Sequence, residues 1–417
     1  MYNVDHIKIT FKDRISVYRA LKKGNTNIFA PSLLDDFEQK FTEKLNTKYT
    51  CVFPNCTSAI FTAINALKLK DNDEIIVPNL THSSSLYPLV LNNIKFKTYE
   101  FEKNSYNADI THLESLITKN TKVIMICYLH GYPINTNEIK KICKKYKIAL
   151  IEDSAQGFGI KINNKYAGTI GDFGCFSFGE SKLLRVGEGG AIIANNRKYI
   201  NEINKIRHVG EIWKCNGENT VKTMPTYYDL VSSGLDYDGR AFNLRVMPFT
   251  FAYASNKLKK IDNIIKSRQL KLKKYYDILK NVKGLEFISN IEYGIQNTAP
   301  FSAWIILDEK INIIKIISAC ISSGIPIGKF KYDVVSNMKY FKDSCLNEKN
   351  DYKNSTNIKD RSLFLPIYEN LSIKDIEKIA KEFINILNLY DTNPEDQKFN
   401  TDILKNDIRY FNGFFIK

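Results

Sequence analysis

The chain has 417 residues, of which 44% are hydrophobic and 25% are charged, and these proportions exclude a disordered or fibrous protein. Its length is typical of two domains with sizeable cores. Lysine and arginine outnumber aspartate and glutamate by 60 to 45, and the net charge of +15 suggests an anionic partner.

Two features of the sequence bear on location and redox state. The first residues, MYNVDHIKITFKDR, are charged and contain no apolar segment, so we expect no signal peptide. No run approaches the roughly 18 apolar residues of a membrane-spanning helix. The eight cysteines form no CxxC pair and show no zinc-ligand spacing with histidine. We therefore expect reduced thiols, no metal site and a cytoplasmic protein without membrane contact.

From about residue 48 to 200, short β-rich runs alternate with amphipathic helical stretches. The predicted strands are YTCVFP, DEIIVP, KVIMICYL, IALIED, DFGCFSF and GGAIIAN. Helices are predicted after the first three, over SAIFTAINALKL, SSSLYPLVLNN and NTNEIKKICKKYK. Alternation of this kind favours a mainly parallel sheet that is covered by helices on both faces.

The second half of the chain has a different pattern. Residues 201–250 contain four glycines and little periodicity, so we expect a functional excursion of the first domain. A lysine-rich helical stretch over 251–283 leads to predicted strands EFIS and SAWIIL and predicted helices NIIKIISACISSG and IKDIEKIAKEFINIL. We therefore predict a large domain over 1–250, a smaller C-terminal α/β domain over 251–392, and a tail, 393–417, that the pattern does not place.

Ligands of an open parallel sheet bind at the carboxyl ends of its strands, so the residues after each strand are candidates. Thr57 and Ser58 follow the first strand and open a helix. Their hydroxyls and the free N–H groups indicate either a phosphate cradle or a plain helix cap. His82 and His130 follow the next two strands, and neither is informative alone.

Two adjacent carboxylates, Glu152 and Asp153, end the fourth strand and point to opposite faces, so at most one enters a central site. The alternative is a helix-capping aspartate. Lys182 stands between an apolar strand and a glycine-rich turn. Burial would make it a nucleophilic amine, and the alternative is a solvated lysine. The turn reads GEGG rather than GxGxxG, which makes a dinucleotide-binding fold a weak competitor.

The order of these features is more specific than any one of them. A phosphate cradle, a stacking position, an acid, a hydroxyl and a lysine follow at successive strand ends of one predicted sheet. A pyridoxal phosphate site needs an amine for the aldehyde, a carboxylate against the pyridine nitrogen, a phosphate cup and a flat group over the ring. The sequence therefore predicts this cofactor.

The central block IEDSAQGFG, followed by AGTIGDFGCFSFGESKLLRVGEGGAI, resembles the DegT/DnrJ/EryC1/StrS aminotransferases. These are fold-type-I pyridoxal phosphate enzymes that commonly transaminate keto sugars. The resemblance continues through NCTSAI, VPNLTHSSS, AFNLRV and RSLFLPIY, and it covers roughly residues 10–390. It implies an α/β fold in which helices sandwich a mainly parallel seven-stranded sheet, with a smaller C-terminal α/β domain.

The resemblance implies a role for each matching residue. Lys182 stands where the family has its cofactor-binding lysine, and Asp153 matches the carboxylate that pairs with the pyridine nitrogen. Gln156 matches the glutamine near the ring hydroxyl. His82 takes the place of an aromatic residue that stacks on the ring. The positions that match the family's phosphate-binding residues are Thr57, Ser58 and Ser177.

Asn243 and Arg245 match an Asn-x-Arg loop that the family sends into the neighbouring subunit's site. The resemblance thus implies a homodimer with shared active sites. The expected reaction moves an amino group from glutamate or glutamine to a keto sugar, with a nucleotide-linked sugar as first choice, in amino-sugar, glycan or secondary-metabolite biosynthesis. Gly179, Glu180 and Leu183 depart from the common pattern, and FSxxxxKLxxxGEGG is closer to the branch for cyclitols and aminohydroxybenzoate precursors. The alternative acceptor is therefore a cyclitol ketone or an aminohydroxybenzoate-type precursor.

Three other functions are considered. A pyridoxamine-phosphate-dependent sugar dehydratase is less favoured, because that subgroup of the family has histidine where this chain has Lys182. A catalytically retired homologue would not need Lys182, Asp153 and Gln156 together. A nucleic-acid or membrane-surface binder would need aromatic platforms, whereas the lysines of KKICKKYK and KLKKYY recur at helical intervals typical of solvated faces. The expected partners are therefore small molecules.

Overall fold

A seven-stranded sheet forms the centre of residues 49–194. Its strands are β1 (Tyr49–Phe53), β2 (Glu74–Pro78), β3 (Lys95–Tyr99), β4 (Thr121–Cys127), β5 (Ala149–Ser154), β8 (Phe173–Ser177) and β9 (Gly190–Ala194). The order is β1-β9-β8-β5-β4-β2-β3, in which β9 is antiparallel to both neighbours and the other pairs are parallel. The predicted mainly parallel seven-stranded sheet is confirmed. A hairpin of β6 (Lys161–Ile162) and β7 (Lys165–Tyr166) lies between β5 and β8 in the chain.

The computed structural model describes residues 9–22, 31–207, 211–212, 236–237, 241–331, 333–347 and 352–391. The tail predicted over 393–417 lies outside these residues, as does most of the excursion predicted over 201–250. Within the excursion, a two-residue strand β10 (Glu211–Ile212) pairs with β11 (Asp236–Tyr237). None of the described helices combines the length and the apolar surface that crossing a bilayer requires.

Helices cover both faces of the large sheet, because successive strand residues alternate between two hydrophobic cores. Val52, Ile76 and Ile124 face one core, whereas Cys51, Ile75 and Val123 face the other. The helices around the sheet are α1 (Phe11–Lys22), α2 (Pro31–Leu45), α3 (Cys56–Ala66), α4 (Tyr87–Leu91), α5 (Ile110–Ser115), α6 (Thr136–Tyr146) and α7 (Arg197–Arg207). Side chains of α2, α5 and α6 lie in the first core and those of α3, α4 and α7 in the second.

A second, antiparallel sheet follows in the chain. It consists of β12 (Leu285–Phe287), β13 (Ser302–Leu307) and β14 (Ser362–Pro366), with β13 in the middle. The remaining helices are α8 (Pro248–Leu258), α9 (Ile261–Leu279), α10 (Ile313–Ser322), α11 (Lys353–Arg361) and α12 (Ile373–Asp391). Two of them, α9 and α12, pack on each other, and α8 packs on α1 and α2. The boundary at residue 250 between two domains stays a prediction.

The lysine-rich stretch over 251–283, predicted as one helical segment, is two helices. The first, α8, ends at Leu258 and α9 begins at Ile261, so the break falls at Lys259–Lys260. The two helices have different neighbours, because α8 packs on helices of the large sheet while α9 supports the small one. Tertiary packing therefore divides a stretch whose local pattern is continuous.

Candidate active site

Asp153 is held at the end of β5, in the middle of the large sheet. It is 2% exposed and lies in register between Cys127 of β4 and Cys175 of β8. One carboxylate oxygen, Oδ2, accepts a hydrogen bond of 2.5 Å from Ser85 Oγ, and Oδ1 accepts one of 3.0 Å from Ala155 N. Two donors on different elements therefore fix the orientation of a buried carboxylate.

Glu152, the adjacent carboxylate, faces the opposite side of the sheet and has a structural role. It is fully buried, and Oε2 accepts from Tyr128 Oη at 2.6 Å and from Gly168 N at 2.7 Å. Its Oε1 accepts from Ile170 N at 2.7 Å and from Gly171 N at 2.5 Å. Burial raises the pKa of Glu152, and these donors oppose the rise. Glu152 thus holds the turn before β8, and Asp153 is the carboxylate available to the site.

Lys182 lies in the turn that joins β8 to β9, which we call the lysine turn (residues 178–189). The base of the turn is closed by two backbone hydrogen bonds, Phe178 N to Gly189 O at 2.8 Å and Val186 N to Phe178 O at 2.9 Å. Burial lowers the pKa of Lys182, while nearby Cys56 and Asp153 raise it. The partly buried amine is therefore within electrostatic range of Asp153, and a lowered pKa enlarges its neutral, nucleophilic fraction.

The first turn of α3 meets the start of β9 at the place where the phosphate cradle was predicted. Asn55 caps α3, and its side-chain oxygen accepts from Ser58 N at 2.8 Å and from Ser58 Oγ at 2.9 Å. A Cβ on Gly190 would lie 2.5 Å from the carbonyl carbon of Asn55, so only glycine allows this approach. Because Ser177 pairs with Gly190 across the strands, the approach brings Ser177 toward Thr57 and Ser58.

His82 caps the 3₁₀ turn Ser83–Ser85 that follows β2. Its ring Nδ1 accepts from Ser84 N at 3.1 Å, which leaves the proton of the neutral ring on Nε2. Partial burial lowers the pKa of His82, and the ammonium groups of Lys182 and Lys331 lower it further. His82 is therefore within electrostatic range of Lys182, and its environment favours a neutral ring.

Gln156 is oriented by the neighbouring strand end, because its Oε1 accepts from His130 N at 2.8 Å. The ring of His130 stacks on Phe364 of β14, with centroids 3.7 Å apart and planes 11° apart, and its Nδ1 lies 3.0 Å from Ser302 Oγ of β13. His130 therefore links the two sheets beside the site. It is not one of the predicted site residues.

Asn243 and Arg245 lie beside the end of α7, where Leu244 N donates to Arg207 O at 3.0 Å. Asn243 is exposed and Arg245 is partly buried. The ring of Phe242 packs on Phe61 of α3, with centroids 5.1 Å apart. The role of Asn243 and Arg245 in a neighbouring subunit's site stays a prediction.

Two residues that sequence reasoning missed belong to this region. Ser85 donates to Asp153, and its signal was present in the THSSS run after β2. Lys331 lowers the pKa of both Lys182 and His82, and it reaches them from a distant part of the chain with no motif to mark it. Among the described residues, no group of His, Cys, Asp and Glu side chains could hold a metal ion, and the described cysteines are free thiols.

Comparison with known proteins follows this geometry. A buried carboxylate and an amine at the strand ends of a seven-stranded, mainly parallel sheet define the class of fold-type-I transferases. The model of the DegT/DnrJ/EryC1/StrS aminotransferase family matches residues 11–384, and the chain belongs to this family. The predictions of family, fold class and aminotransferase enzyme are confirmed.

The dTDP-3-amino-3,6-dideoxy-alpha-D-galactopyranose transaminase of Aneurinibacillus thermoaerophilus is 36% identical over 203 residues, which are 48% of this chain and 55% of that protein. The chain thus spans about half the length of this relative. An aminotransferase structure from Psychrobacter cryohalolentis matches with a TM-score of 0.83 and 19% identity, over 94% of this chain and all of that one. The GDP-4-keto-6-deoxy-D-mannose-3-dehydratase of E. coli with bound hydrated PLP matches with a TM-score of 0.80 and 22% identity, over 92% and 99% of the two chains.

Proposed function

We propose that this chain is a pyridoxal-phosphate-dependent aminotransferase that moves an amino group from glutamate or glutamine to a nucleotide-linked keto sugar. The observation that carries the proposal is that the amine of Lys182, in the lysine turn, lies within electrostatic range of Asp153, the buried carboxylate at the carboxyl end of β5. Membership of the aminotransferase family supports the reaction, and the transaminase of A. thermoaerophilus, named for a dTDP-linked amino sugar, supports the substrate.

The residues present fit pyridoxal phosphate. Thr57, Ser58 and Ser177 offer hydroxyls, and the start of α3 offers the positive end of a helix dipole, which together suit a phosphate. Asp153 suits a protonated pyridine nitrogen, because it is a buried carboxylate with a fixed orientation. Lys182 supplies the amine for the aldehyde. When bound, this cofactor withdraws electrons from the carbon that gains or loses a proton.

Each remaining step is assigned to side chains of this chain. Nζ of Lys182 takes the proton from the amino-bearing carbon of the donor and later delivers one to the acceptor, since an amine with a lowered pKa can act in both directions. Asp153 would pair with the protonated pyridine nitrogen. His82 would stack on the cofactor ring, and Gln156 would hydrogen-bond the ring hydroxyl. Both orientations are set by the contacts with Ser84 N and His130 N.

The proposal includes a cytoplasmic homodimer in which Asn243 and Arg245 complete the partner's site. The exposure of Asn243 and the position of both residues beside α3 and α7 support this assignment. The cationic Arg245 would suit the cofactor phosphate or a phosphorylated substrate. An aminotransferase acting on a cyclitol ketone or an aminohydroxybenzoate precursor is the alternative within the same chemistry.

The test follows nitrogen from donor to product. The holoenzyme is incubated with ¹⁵N-labelled glutamate or glutamine and a nucleotide-linked 4-keto-6-deoxyhexose, and the products are identified by mass spectrometry. The expected product is the ¹⁵N-labelled amino sugar nucleotide, which the variant K182A should not form. Release of the ¹⁵N label as ammonia, with a deoxygenated sugar nucleotide that contains no new nitrogen as the product, would indicate a dehydratase. If only a cyclitol ketone becomes labelled, the acceptor is that ketone and not the proposed nucleotide-linked sugar.

A further inference from the structure

Arg185, three residues after Lys182, connects the lysine turn to the segment that follows β14. Its guanidinium Nη2 lies 2.8 Å from Oε2 of Glu369, and the Arg185 side chain is 12% exposed. Leu183 and Leu184, between Lys182 and Arg185, are buried in the core of the large sheet. The turn is therefore fixed at its base by apolar packing and at Arg185 by an ion pair.

Side chains of α9 contact Glu369 and hold it in place. Its Oε1 lies 2.7 Å from Nε of Arg268, whose side chain is 5% exposed and also donates from Nη1 to Pro300 O at 3.3 Å. The ammonium of Lys271 donates to the backbone carbonyl oxygens of Tyr368 at 2.6 Å and Glu369 at 3.2 Å. Arg268 and Lys271 are one helical turn apart, so the same face of α9 supports the side chain and the backbone of Glu369.

The carboxylate of Glu369 thus has a separate guanidinium on each oxygen. Arg268 lies on α9, the helix that supports the small sheet, whereas Arg185 lies in the lysine turn. Charge-assisted hydrogen bonds of this kind are short and directional, and their partly buried setting limits screening by solvent. The carboxylate of Glu369 therefore connects the lysine turn to the helix that supports the small sheet.

We propose that Arg185 is a positioning residue for Lys182, and that its pairing with Glu369 fixes the distance of the Lys182 amine from Asp153. The inference rests on the proposed function, because it concerns the lysine that carries the cofactor. Loss of the pair loosens the middle of the lysine turn at Arg185, while the backbone hydrogen bonds of Phe178 to Val186 and Gly189 still hold its base. The amine then samples a wider range of positions, and misplacement of a reacting group by about 1 Å costs on the order of 100-fold in rate.

The test compares R185M, E369Q and the double variant R185M/E369Q with the wild-type holoenzyme. Three quantities are measured: kcat and KM for the amino donor, the pH midpoint of the visible absorbance of the bound cofactor, and the midpoint of thermal unfolding. We expect kcat to fall ~10- to 100-fold with little change in KM. We also expect a displaced absorbance midpoint, and a double variant no worse than the worse single variant. R185K, which keeps the charge but not the planar fork, should recover part of kcat.

Two controls separate this role from ordinary stabilisation. K274M removes an ion pair on the same helix as Arg268, because Lys274 lies 2.5 Å from Glu377 of α12 on a partly exposed surface. R197M removes an exposed arginine at the start of α7. Both should keep the wild-type kcat and absorbance midpoint. Variants at Arg185 and Glu369 that lower only the unfolding temperature, or nothing, would overturn the inference while the proposed function stands. A wild-type chain without cofactor absorbance would overturn both.

Discussion

Asp153 and Glu152 are neighbours in the chain with opposite tasks, and the difference arises from the pleat of β5. Asp153 accepts hydrogen bonds from Ser85 and Ala155 on the site face. Glu152 is satisfied by Tyr128 and by the backbone of the turn before β8. The sequence predicts that at most one of them enters the site, but it cannot identify the donors, because those donors come from other elements.

The variant D153N tests the electrostatic part of the site. Asparagine keeps the shape and can still accept from Ser85, but it places no charge opposite the pyridine nitrogen. We expect cofactor content near that of the wild type and a kcat lower by about 10²-fold or more. S85A is the matched control, because it removes one hydrogen bond from a retained carboxylate and should cost about fivefold. A D153N enzyme with the wild-type kcat would refute the assigned role.

His130 is a second residue whose environment makes a measurable prediction. Burial lowers its pKa to about 3, from 6.5, and the charge of Lys182 acts in the same direction. Between these values the unfolded chain binds more protons at this residue than the folded chain does. The contribution of His130 to stability is therefore fully present above pH 6.5 and is lost as the pH falls toward 3.

Denaturant unfolding of the wild type and of H130F between pH 7 and pH 5 measures this effect. Phenylalanine keeps a ring against Phe364 but does not titrate. The free energy of unfolding of the wild type should fall relative to that of H130F by at most about 1.4 kcal/mol per pH unit below 6.5. All other groups titrate in both proteins and cancel in the difference. Parallel pH profiles would contradict the burial of a neutral His130.

At the scale of elements, the sequence predicts strands best where both faces are buried. β2, β4, β5, β8 and β9 each contain a short run of apolar residues, and the sequence predicts each of them to within a few residues. The edge strand β3 was missed because Lys95 and Lys97 alternate with its apolar residues, which makes KFKTY similar to a polar segment. The stretch after β2 was predicted as a helix, but it is the turn Ser83–Ser85 followed by the short α4, and this turn is what brings Ser85 to Asp153.

Glu152 stabilises the turn before β8 in the way that a capping side chain stabilises the end of a helix. Replacing Glu152 with glutamine turns one of two acceptor oxygens into a donor and sets it against backbone N–H groups. We expect E152Q to lower the free energy of unfolding by about 2–3 kcal/mol, measured by denaturant titration. E114Q, at a surface pair with Lys145, should leave the free energy of unfolding nearly unchanged. Equal stability of E152Q and the wild type would show that the turn does not need the carboxylate.

At the scale of the molecule, the net charge of +15 does not indicate a polyanionic partner, and only part of it bears on function. Several lysines of the stretches KKICKKYK and KLKKYY lie on the surface and pair with acids, as Lys145 does with Glu114 and Lys273 with Asp277. Lys271 is the exception, because it is buried and donates to backbone carbonyl oxygens. A smaller set of lysines lies around the candidate active site. Lys182 and Lys331 add positive potential near His82, which suits an anionic cofactor and a phosphorylated substrate.

The large-scale fold could be predicted from the sequence, but the joining of its two sheets could not. Sequence motifs at the strand ends predict Lys182, Asp153 and the phosphate cradle at the start of α3, because each motif lies within one short segment of the chain. The pair between Arg185 and Glu369 and the stacking of His130 on Phe364 connect residues that are far apart in the chain. Neither pair carries a local pattern, so only the three-dimensional arrangement reveals it.

The measurement that tests the central claim most directly is the visible absorption spectrum of the wild type and of K182A after addition of pyridoxal phosphate. In the wild type, glutamate or glutamine should remove the visible band of the bound cofactor, and a nucleotide-linked keto sugar should restore it. K182A should show neither change. A K182A protein that completes the same cycle, or a wild-type band that no amino donor alters, would contradict the account.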